Sequence, residues 1–105
     1  MASYTDKRAS PRVSAKVAVT VAGRDAQNKP IQEQTETLLV NEGGALIALA
    51  GEFRLHDRLR ITNQATGGNV DARVAWRSST QISGRWSYGI ALIDPPENFW
   101  GTPKN

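Results

Sequence analysis

Over residues 13–21 every odd position is apolar (Val13, Ala15, Val17, Val19, Val21), while the even positions carry Ser14, Lys16, Ala18 and Thr20. Alternation with period two sends successive side chains to opposite faces of an extended chain, so it predicts a half-buried strand. Five further strand signals follow, by composition or by alternation. Residues 32–40 are rich in threonine and aliphatics, and 45–49 form a short apolar run. Residues 57–63 set Leu59 and Ile61 against Arg58, Arg60 and Thr62. Val70, Ala72, Val74 and Trp76 oppose Asp71, Arg73 and Arg77, and Trp86, Tyr88, Ile90 and Leu92 form the last face. Between the runs lie turn formers: the polar stretch 23–30, Asn41-Glu42-Gly43-Gly44, Ala65-Thr66-Gly67-Gly68-Asn69, and the polar loop 78–85.

No segment sustains a period near 3.6, so the chain reads as all-β. Six short antiparallel strands favour closure into a barrel, because closure removes exposed edges that would pair with other chains. After Asp94-Pro95-Pro96, residues 97–100 predict one helical turn that packs Phe99 and Trp100 back onto the body. Trp76 and Trp86, on apolar faces, are expected in the core, with Trp100 plugging one end of the barrel. The organisation expected is a flexible N-terminal segment at 1–12, a barrel at 13–100 and a tail at 101–105.

A length of 105 residues suits one domain with a modest core. The formal charge is only +3, with acidic and basic residues interspersed, which tolerates a small anionic ligand without demanding nucleic acid. With no cysteine, disulfide and thiolate chemistry are excluded. No apolar run reaches membrane-spanning length and no secretory pattern is visible, so the expected compartment is the cytoplasm. His56 is the only histidine, which leaves no metal-ligand spacing, and no glycine-rich loop opens a helix. A binding module without cofactor is therefore expected rather than an enzyme.

The chemistry-bearing segment is Lys7-Arg8-Ala9-Ser10-Pro11-Arg12. A guanidinium is permanently charged, planar and forked, so it grips phosphate and also lies flat on a purine. Pro11 disfavours the helical conformation at Ser10, which keeps the segment semi-extended and tends to put Arg8 and Arg12 on one side. Lys7 offers a further phosphate contact. Taken alone, such a run also fits a solvated basic surface.

With the strands placed, the chain resembles a PilZ domain over roughly residues 7–100. Arg8-x-x-x-Arg12 is similar to that family's arginine motif, just before strand one. Gly43-Gly44-Ala45-Leu46-Ile47 resembles its glycine turn and following strand. Ala72-Arg73-Val74-Ala75-Trp76 and Tyr88-Gly89-Ile90-Ala91-Leu92 resemble its last two strands, and Pro95-Pro96-Glu97-Asn98-Phe99-Trp100 is similar to the ending of a single-domain subgroup.

The resemblance implies a six-stranded barrel that binds cyclic di-GMP, a bacterial second messenger, through Arg8 and Arg12. A second family motif, Asp/Asn-x-Ser-x-x-Gly, would read the guanine edge. Setting its glycine on Gly44 puts Asn41 at the serine and Leu39 at the acidic position. Losing the carboxylate removes a charge-assisted bond of roughly 1.5–3 kcal/mol, about 10- to 150-fold in affinity. The Asn41 amide, which donates and accepts, offsets part of this, although asparagine here also fits a plain turn.

Three functions follow as expectations. The first is a cyclic di-GMP receptor whose N-terminal segment orders on binding and presents a surface to a protein partner. The second is a degenerate member that binds no nucleotide and acts as a protein-interaction adaptor. The third, ranked last, is a barrel binding single-stranded nucleic acid through Arg54, Arg58, Arg60 and Arg73.

Overall fold

Alternating side chains need a second apolar layer to cover them, and here the sheet provides it by curling onto itself. The computed structural model describes residues 16–101, so Lys7, Arg8 and Arg12 lie outside the described residues. Six strands follow in order: β1 (Ala18–Arg24), β2 (Pro30–Asn41), β3 (Gly44–Leu49), β4 (Arg58–Asn63), β5 (Asn69–Arg77) and β6 (Trp86–Ile93). All neighbours are antiparallel, and they close into a barrel in the order β1-β2-β3-β6-β5-β4, with β4 pairing back to β1.

The interior is filled by the inward positions of every strand, among them Val19, Val21, Val40, Ile47, Leu59, Ile61, Ala72, Val74 and Ile90. β1 starts later than the alternation suggests and runs on to Arg24. Val17 nonetheless joins the ladder: its N–H donates to Thr37 Oγ1 at 2.9 Å, and Thr37 N–H returns a bond to its carbonyl at 3.0 Å. β2 is longer than expected because the β1–β2 connection is a tight turn. Asp25 Oδ1 accepts from the Gln27 and Lys29 amides at 2.9 Å each.

Two bulges change which residues face inward. In β2, Thr37 pairs with Ile47 but Leu39 pairs with Leu46, so Leu38 is extra. In β5, Val74 pairs with Ile90 but Trp76 pairs with Gly89, so Ala75 is extra. One added residue inverts the side-chain parity beyond it. The expectation that Trp76 lies in the core is therefore wrong: it faces outward and is 52% exposed. Trp86 packs against the edge of the core, with the Arg77 guanidinium 4.5 Å above its ring.

One end of the barrel holds the 42–43 turn, the β4–β5 turn and the C-terminal segment. Residues 97–100 form a hydrogen-bonded turn rather than helix, with Asn98 at φ 54 in the left-handed region. It buries Phe99 and Trp100 over the core, as expected for Trp100. Asn63, completely buried, donates from Nδ2 to the Phe99 carbonyl at 3.0 Å and accepts at Oδ1 from Ala65 N–H at 3.0 Å.

At the opposite end Tyr88 is also fully buried, edge-on to Phe53. Its hydroxyl donates to the Gly51 carbonyl at 2.6 Å and accepts from Phe53 N–H at 2.9 Å. Burial pushes the Tyr88 phenol above its ordinary 10.0, outweighing the Phe53 hydrogen bond and the Arg77 charge, which pull it down. The folded state thus favours the neutral phenol. Its contribution to stability is complete below pH 10.0 and is lost as pH rises through the higher folded-state value. Thermal melts should show Tyr88→Phe less stable than wild type at pH 7 by about 1–3 kcal/mol. The gap should narrow on titration above pH 10; a constant gap would contradict this account.

Candidate functional site

The sheet register lines up outward-facing residues in two rows across four strands. One row runs Asn41 (β2), Gly44 (β3), Ala91 (β6), Arg73 (β5), and the next runs Leu39, Leu46, Gly89, Trp76. Between the walls Gly44, Ala91 and Gly89 leave backbone as much of the floor, with Leu46 beside them. The result is a surface groove of about 430 Å³ bordered by Leu39, Asn41, Gly44, Leu46, Trp76 and Gly89.

Two glycines make that floor. A Cβ on Gly44 would overlap the Ile90 carbonyl oxygen across the β3–β6 pair, so no larger residue fits without moving backbone. A Cβ on Gly89 would sit 3.4 Å from Trp76 Cβ, in ordinary contact, so Trp76 already lies directly over this strand position. The Ala75 bulge turns Trp76 out, and the space over Gly89 receives it. Half its surface remains open, which suits stacking against a planar ligand.

Asn41 Oδ1 accepts from Gly43 N–H at 2.9 Å, the turn-forming bond that asparagine commonly makes. That bond engages the acceptor and not the two N–H donors of the amide. The main chain of Asn41 is held as well, its carbonyl accepting from Trp100 Nε1 at 2.8 Å. Leu39 contributes an apolar wall and no hydrogen-bond acceptor. Asn41 and Gly44 are thus together at one groove, whereas Lys7, Arg8 and Arg12 lie outside the described residues.

Trp76 is the site residue that strand alternation misses. Its signal was indirect: a glycine opposite a large aromatic on a paired strand leaves room for outward packing. The four arginines considered for nucleic acid do not form one track of equivalent cations. Arg54 donates to the Ala26 carbonyl at 2.7 Å and Arg60 pairs with Asp71 at 3.1 Å. Beside His56, the Asp57 carboxylate caps its own turn by accepting from Arg54 N–H at 2.8 Å. Among the described residues, no group of three or more His, Cys, Asp or Glu side chains could hold a metal ion. No described helix is long and apolar enough to cross a membrane.

No curated protein matches the chain. A family model described as PilZ domain matches residues 6–99, which spans both the arginine segment and the whole barrel. With that match laid over a closed six-stranded barrel, the chain belongs to the PilZ domain family.

Proposed function

We propose that this domain is a receptor for cyclic di-GMP, bound on the outer face of β2, β3, β6 and β5. The observation that carries the reading is the groove itself: a glycine-floored surface with Asn41 on one wall and a half-exposed Trp76 on the other. A guanine ring stacks on the indole, and the Asn41 amide donors reach the polar edge of the ligand. Arg8 and Arg12 supply phosphate and stacking contacts, with Lys7 adding charge.

Chain reach supports the arginines' part. Val17 pairs with Thr37, so β1 is entered from the end of the barrel at which β2 finishes in Asn41. The five-residue step from Val17 back to Arg12 spans at most about 18 Å. The path along β2 from Thr37 to Asn41 is about 13 Å. Ligand binding would order the N-terminal segment over the groove and offer a new surface to a protein partner.

Leu39 favours a second reading, a family member that acts as an adaptor without nucleotide. The wall residue at the position where the family pattern has a carboxylate accepts no bond from guanine.

Calorimetry separates the two. Wild type should bind cyclic di-GMP, and Arg8→Ala should weaken binding at least tenfold. Trp76→Ala should lose about 5- to 150-fold, the range of one base–aromatic stack. No heat at high micromolar ligand would leave the adaptor reading. A gain-of-function variant gives the converse check. Leu39→Asp restores the acceptor and should tighten binding by about 10- to 150-fold. Unchanged or weaker affinity would show that guanine is not read at that wall.

A further inference from the structure

The groove row that starts at Asn41 does not stop at β6. It continues from Ala91 to Arg73 on β5, and Arg73 is paired directly with Arg58 on β4. Both arginines are exposed and point outward on adjacent strands, with β-carbons about 5 Å apart. Like charges placed directly opposite each other destabilise a strand pair.

Their neighbours are treated differently. In the next outward row Arg60 pairs with Asp71 at 3.1 Å, and Arg77 pairs with Glu52 at 3.3 Å. Among the described residues, neither Arg58 nor Arg73 has an ion-pair partner. The sheet thus holds two unneutralised guanidinium groups side by side, at the edge of a groove whose floor is Gly44, Ala91 and Gly89. Trp76 and Arg73 are consecutive outward positions on the same strand. They are three residues apart, but across the bulge they face Ala91 and Gly89, two residues apart on β6, a rise of about 6–7 Å and comparable to the span from a nucleotide's base to its phosphate.

We propose that Arg73, backed by Arg58, is a second anion subsite that takes a phosphate of the nucleotide whose base stacks on Trp76. The subsite rests on the reading of the groove as a cyclic di-GMP site. It lies on the β5–β4 side, across the floor from the wall formed by Leu39 and Asn41. A forked guanidinium binds phosphate oxygens bidentately, and an anion there also relieves the repulsion between the two arginines.

The two roles predict opposite signs in one variant. Arg73→Ala should weaken cyclic di-GMP binding about tenfold by calorimetry, with the deficit shrinking at high salt. In thermal melts without ligand it should be no less stable than wild type, because the opposed charge is gone. Arg58→Ala should show the same pattern with a smaller loss, about threefold, and carries the test should Arg73→Ala fold poorly. Wild-type affinity in both variants overturns the subsite and leaves the groove reading intact. If wild type itself binds no cyclic di-GMP, both fall.

Discussion

One extra residue in β5 determines what the outer face of this barrel offers. Without the bulge, strict alternation would carry Trp76 into the interior behind Val70, Ala72 and Val74, and Ala75 rather than the indole would stand opposite Gly89. The bulge inverts parity for the rest of the strand, turns the indole outward over Gly89, and leaves Arg73 and Trp76 as successive outward positions. A matching insertion at Leu38 inverts β2 on the other side, which brings Val40 into the core and puts Leu39 on the groove wall. The two bulges flank the β3–β6 pair, and the groove is what lies between them.

Its floor and one wall are fixed by contacts with little slack. Gly44 abuts the Ile90 backbone so closely that even a methyl group would clash. The carbonyl of Asn41 is pinned by Trp100, whose own backbone is gripped, with that of Phe99, by the buried Asn63 amide. The end of the barrel that presents Asn41 is therefore tied to the closure of the core by a chain of satisfied buried bonds. Backbone packing beneath and buried hydrogen bonds at one end thus hold the groove floor and the Asn41 wall in place.

Much of this was legible in the chain. β4 and β6 are unbroken, so period-two alternation identifies Leu59 and Ile61, or Tyr88, Ile90 and Leu92, as interior. Along β5 the same rule holds until the bulge and fails for Trp76 immediately after it. No local feature of Val74-Ala75-Trp76 announces an inserted residue; the information sits on the facing strand, in Gly89. Asn41 was legible as a turn former, and the Gly43 amide bond bears that out. The role of Asn63 was hidden because its partners are Phe99 and Trp100, far along the chain. Arginine pairing shows the same limit, since only the register reveals that Arg58 faces Arg73 while Arg60 faces Asp71.

The account stands on one surface being used as a unit. Amide chemical shifts recorded while cyclic di-GMP is added address that directly. The account predicts that Leu39, Asn41, Gly44, Arg73, Trp76, Gly89 and Ala91 move together and saturate at one ligand concentration, while the distant turn at Asp25 and Asn28 stays still. Saturable shifts confined to another face of the barrel, or none at all, would contradict it.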